Sequence, residues 1–106
     1  MSEDNQVEIP QSFIALYIEP GRSKPAATRF FIAGRYELCE DMANLLTQTA
    51  QEMLHGLGVA ESDVLQRCYQ GLTADNAVVN SEEAEWVVRR LAELSGWDQP
   101  APSLFL

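Results

Sequence analysis

The sequence holds a single lysine and a single histidine, and its 7 basic residues face 16 acidic ones. The resulting net charge of −9 repels a phosphate backbone, whose binding depends on clustered Lys and Arg, so nucleic acid is not an expected partner. A helix-turn-helix made from the last two helices fails on the same ground, because its recognition helix would begin Ser-Glu-Glu-Ala-Glu at 81–85. Long apolar runs are also missing. The longest, Phe13 to Ile18, is far too short to cross ~30 Å of hydrocarbon. The opening Met-Ser-Glu-Asp-Asn-Gln is acidic and polar, the reverse of a secretory signal, which places the expected protein in the cytoplasm.

Chemistry-bearing residues are equally sparse. Cys39 and Cys68 are separated by 28 residues and joined by only one histidine, His55, which gives none of the paired spacings that close a zinc site. Both cysteines lie among apolar helical neighbours, where a reduced thiol acts as a small hydrophobe. His55 sits in the last turn of a helix, suited to meeting orphan carbonyls and the negative end of the dipole. No serine or cysteine has the context of an activated nucleophile. Gly21-Arg22-Ser23-Lys24 is not a Walker-type phosphate loop, because proline follows the lysine where a helix should begin. No enzyme activity, metal or cofactor is therefore expected.

What is present is helical periodicity. A chain of 106 residues, 46% hydrophobic, suits one domain that buries a little over ~60% of its unfolded surface. Residues 1–9 form an expected flexible acidic arm. Residues 11–18, after Pro10, read as a short helix, with a strand as the alternative, and Pro20-Gly21 ends that element. From about Thr28 to His55, Ile32, Tyr36, Cys39, Ala43, Leu46, Ala50, Met53 and Leu57 recur at spacings of three and four, predicting one long amphipathic helix. Leu38, Met42 and Leu45 add a second stripe beyond a bare coiled-coil seam, and Gly56 and Gly58 close the helix.

A shorter helix is predicted from Ser62, with Val64, Leu65, Cys68, Tyr69 and Leu72 inward and Gly71 near its end. Another follows an Asn80 or Ser81 cap, with Glu83 in the capping-box position and Ala84, Val87, Val88, Leu91 and Leu94 inward, ending near Gly96. The segment 98–106, with Pro100 and Pro102, reads as an extended tail. The predicted fold is all-α: a small bundle of three to four helices with one long central helix.

Two surfaces are candidates for binding. At ~100° per residue Trp86 points away from its helix's apolar stripe, toward Arg90 and Glu93. With Trp97 and the tip Leu104, Phe105 and Leu106, it offers an exposed aromatic and arginine pair of the kind enriched at interfaces, unless the same chain covers it. The tail likewise either projects as a docking peptide or folds back. The second surface is Arg22, Lys24, Arg29 and Arg35, four of the 7 basic residues, with no acid between Pro20 and Tyr36. That block either docks an acidic partner or anion, or is neutralised within the chain. Glu37, Glu40 and Asp41 read as a solvated acidic face.

Ile-Pro-Gln-Ser-Phe-Ile-Ala-Leu-Tyr at 9–17, Arg-Tyr-Glu-Leu-Cys-Glu-Asp at 35–41 and Trp-Val-Val-Arg-Arg-Leu-Ala-Glu-Leu at 86–94 resemble a family of small uncharacterised bacterial proteins, some labelled ATPases with chaperone activity. The resemblance covers most of the chain and implies a chaperone-like, nucleotide-dependent role. The chain departs from an ATPase in lacking the phosphate loop and a magnesium-binding acidic strand. The expected function is a non-enzymatic protein-binding, chaperone-like or regulatory module that binds another protein or itself, away from membranes. The alternative is a nucleotide- or small-anion-binding protein using residues 22–35.

Overall fold

The computed structural model describes residues 8–106, so residues 1–7 of the expected acidic arm lie outside the described residues. Among the described residues the protein is all-helical, with no strand. Its α-helices are α1 (Gln11–Ile14), α2 (Arg29–Leu57), α3 (Glu61–Leu72) and α4 (Ser81–Ser95), with 3-10 turns at Ala15–Tyr17 and Pro102–Phe105. The chain divides into two compact units, one reaching Leu38 and one spanning Cys39–Leu106, with the boundary inside α2.

In the first unit, the helical alternative for 11–18 is the one adopted. The Pro10 carbonyl accepts from the N–H groups of Phe13 and Ile14, at 3.0 and 3.1 Å, and opens α1. Ile18, at φ −103 and ψ 116, ends the following 3-10 turn. Pro20-Gly21 then reverses the chain: the Arg22 N–H donates to the Glu19 carbonyl at 3.0 Å, and Gly21 takes φ 82. Proline second and a positive-φ glycine third is the pattern of a type II turn. Thr28 caps α2, accepting from the Phe31 N–H at 3.1 Å through its Oγ1.

Phe13, fully buried, anchors this unit. Its ring lies 5.6 Å from those of both Tyr17 and Tyr36, and Tyr17 meets Phe31 edge-on at 6.2 Å. Such tilted and edge-on pairs are the favoured aromatic geometries.

Along α2 the buried positions are Ile32, Cys39, Ala43 and Ala50, the narrow seam of the predicted stripe. The second stripe does not close over: Leu38 and Met42 are half-buried, and Leu45 is 76% exposed. Leu57, at the last helical position, is also exposed. Gly58, at φ 66, ends the helix, its N–H donating to Leu54 O at 3.2 Å.

In the second unit, α3 packs on α4 and the Pro102–Phe105 turn packs on α3. The stripe of α3 is buried at Val64, Leu65, Cys68 and Leu72. Helix α4 has the predicted capping box. The Glu83 N–H donates to Asn80 Oδ1 at 2.8 Å, and the Asn80 N–H donates to Glu83 Oε1 at 3.0 Å. Gly96, left-handed at φ 74, closes α4 in a Schellman motif: its N–H donates to Glu93 O at 3.1 Å and the Trp97 N–H to Ala92 O at 2.9 Å.

Candidate functional site

The first candidate surface is buried at Trp86, half-buried at Arg90, Trp97, Leu104 and Phe105, and exposed at Leu106. Trp86 is buried, with 9% of its surface exposed. Glu83, three residues earlier on the same side, is also buried, so the buried arc of α4 is wider than the stripe of Ala84, Val87, Val88 and Leu91. Of the two alternatives for Trp86, exposed anchor or covered side chain, the second is the one adopted: the chain itself covers the indole.

Arg90 is engaged within the second unit. Its Nε donates to Glu40 Oε1 and its Nη2 to Glu40 Oε2, both at 2.9 Å, while Nη1 reaches Glu93 Oε1 at 3.1 Å. This two-pronged contact matches the planar guanidinium to the carboxylate. It holds the Glu40 carboxyl below its ordinary range against the opposing effect of burial, and it raises the Arg90 guanidinium. Glu40 is thus a structural partner and no part of a simple solvated face. Sequence reading missed this role, since nothing local links residues 50 positions apart.

The tail takes the second of its two alternatives. It folds back as a 3-10 turn over Pro102–Phe105, its backbone preset by Pro102. Phe105 meets Tyr69 edge-on at 5.0 Å, and the Arg89 guanidinium lies 4.8 Å from the Phe105 ring centre. Gln99 Nε2 donates to the Arg89 carbonyl at 2.9 Å, and Arg89 Nη1 to the buried Pro100's carbonyl at 3.4 Å. Trp97, Leu104 and Phe105 are half-buried, and only Leu106 of the tip stays fully exposed.

The basic segment is different. Arg22, Lys24 and Arg29 are exposed, and Arg35 is half-buried on α2. Neither Arg22 nor Lys24 makes an ion pair among the described residues. Arg22, Ser23 and Lys24 line a shallow hollow of about 280 Å³ with Glu19, Pro25 and Ala26. Pro25 also lines a second, mainly apolar hollow of about 220 Å³ with Ile9, Ile14, Ala27, Arg29 and Ile32. The structure thus brings Arg22 and Lys24 to one hollow and Arg29 to another.

Beside this segment stand two residues that sequence reading passed over. Phe30 is 90% exposed and Phe31 52% exposed. The signal was available: consecutive helical residues point ~100° apart, and with Ile32 inward the Phe30 ring is carried well away from it.

Elsewhere, chemistry is sparse. Cys39 and Cys68 are buried and form no disulfide, and burial pushes the Cys68 thiol up, away from nucleophilic thiolate. No group of three or more potential metal ligands gathers among the described residues, and none of their helices is long and apolar enough to cross a membrane. Comparison with protein-family models, curated proteins and solved structures finds no significant match to this chain.

Proposed function

We propose that this all-helical protein is a non-enzymatic binding module, chaperone-like or regulatory in character, that docks another protein through the basic and aromatic segment 22–35. The observation that carries this reading is Phe30, 90% exposed beside Arg29 at the start of α2. A phenylalanine held in water forgoes roughly 1.5–3 kcal/mol of burial, which a partner surface restores. Aromatic and arginine side chains together are the composition of binding hot spots. All 16 acidic residues lie outside the stretch between Pro20 and Tyr36, so the segment stands out electrostatically from the rest of the chain.

The test is affinity capture from a bacterial lysate with the intact chain, Phe30→Ser and Trp86→Ala side by side, each first shown to be folded. Phe30→Ser is expected to lose a specific partner that the intact chain retains. Equal retention by Phe30→Ser would remove this surface from the proposal.

A second reading has one observation in its favour, the shared hollow of Arg22, Ser23 and Lys24, which offers two cations and a hydroxyl to a small anion or nucleotide phosphate. Glu19 on the same wall opposes it. Calorimetry with ATP and magnesium decides: no heat at millimolar concentration ends this reading.

A further inference from the structure

Pro25 is a wall common to the two hollows of the first unit, one cationic and one apolar. A ligand that contacts both hollows meets two different chemistries. On the apolar side, Ile14, Ala27 and Ile32 offer aliphatic surface with the Arg29 side chain among them. On the other, Arg22 and Lys24 outweigh Glu19 and leave a net positive charge.

Volume narrows the class of ligand. The apolar hollow, at about 220 Å³, is smaller than the ~300–1,000 Å³ of sites that enclose whole small molecules. It suits one bulky side chain with its backbone left outside. An anionic bilayer is the poorer occupant, because a recess of about 220 Å³ takes one protruding side chain and a flat headgroup surface presents none. Charge complementarity selects the remainder of the ligand: carboxylates close to the apolar anchor.

We infer that Pro25 is shared by a two-part docking site for an acidic partner segment: the segment's single aliphatic or aromatic side chain enters the apolar hollow, and its neighbouring carboxylates engage Arg22 and Lys24. This rests on the protein-binding reading above and names the chemistry of the partner.

The test uses the full chain and fluorescently labelled eight-residue peptides read by anisotropy. One carries Asp and Glu around a central Leu, a second replaces that Leu with Ala, and a third replaces the acids with Lys. The acidic Leu peptide is expected to bind about tenfold or more tightly than its Ala counterpart. Ala27→Glu, which places a carboxylate in the apolar hollow, is expected to abolish that difference. Arg22→Glu/Lys24→Glu is expected to weaken both acidic peptides and flatten their salt dependence. Circular dichroism confirms that each variant is folded.

Equal binding of the Leu and Ala peptides, a preference for the Lys peptide, or no binding at millimolar concentration overturns the inference. Binding to phosphatidylserine vesicles without binding to the acidic peptides overturns it in favour of a membrane surface. Phe30 lines neither hollow, so loss of a captured protein in Phe30→Ser is read independently of these peptides. The protein-binding reading can stand when the two-part site fails.

Discussion

The guanidinium of Arg89 lies 4.8 Å from the centre of the Phe105 ring, and Tyr69 meets the same ring edge-on at 5.0 Å. One residue of the tail is therefore held from α4 and α3 together. Phe105→Ala is expected to destabilise the fold by about 1–2 kcal/mol, the sum of a partly exposed cation–π contact and an aromatic pair. A double-mutant cycle with Arg89→Ala, followed by urea denaturation, should return a coupling of about 0.5–1 kcal/mol; zero coupling would show the contact to be idle.

Glu40 and Arg90 give the protein an acid-sensitive link. Arg90 lowers the folded-state pKa of Glu40 below its ordinary value of 4.5, so the contribution is present above that value. It is lost as pH falls through the lowered folded-state pKa. Glu40→Gln should therefore cost stability at pH 7 and flatten the acid side of the stability profile. The pair is partly exposed, with side-chain exposures of 33% for Arg90 and 22% for Glu40, so Arg90→Ala is expected to cost about 1 kcal/mol. A Glu40→Gln profile that parallels the intact protein below pH 5 would contradict this linkage.

Trp86 behaves as core. Trp86→Ala is expected to cost about 3 kcal/mol or more, through lost burial and the cavity left behind. In a Trp97→Phe background, Trp86 is the only indole, and its fluorescence should resist acrylamide quenching. Ready quenching would mean that the indole is open to solvent.

Phe13 and Phe30 are an internal contrast within the first unit. Phe13→Ala removes a fully buried ring and should cost about 3–5 kcal/mol. Phe30→Ser, at a 90% exposed position, should change stability by no more than about 0.5 kcal/mol. Thermal and urea unfolding of the two variants measure this difference directly, and a large loss in Phe30→Ser would show that its ring is buried.

Asn80 tests the start of α4. Its side chain satisfies the Glu83 N–H, and Glu83 returns the contact, so Asn80→Ala should cost about 1 kcal/mol and Asn80→Ser rather less. Matching urea midpoints for all three chains would indicate that the cap is replaced by water.

The helices were legible because their causes are local. Spacings of three and four marked the seam of α2 at Ile32, Cys39, Ala43 and Ala50, and Asn80, Glu83 and Gly96 marked both ends of α4 through hydrogen bonds within a few residues. The candidate binding surface was less legible. The basic segment could be read as a run of charge, yet Phe30 within it went unnoticed, and Trp86 and Arg90 presented the pattern of an interface while one is buried and the other pairs with Glu40 of the same chain. A helical wheel gives the direction of a side chain, but not what lies in that direction.

The sequence by itself determined an all-helical chain, the caps and glycines that bound its helices, and a cationic stretch set apart from every acidic residue. These follow from backbone periodicity, local hydrogen bonding and covalent order. Only the tertiary structure decided that Arg90 would meet a carboxylate 50 residues away, that Trp86 would be covered, and that Phe105 would fold back onto Tyr69 and Arg89. Such contacts depend on which surfaces meet once loop-closure entropy has been overcome, a competition among distant segments that no local pattern records.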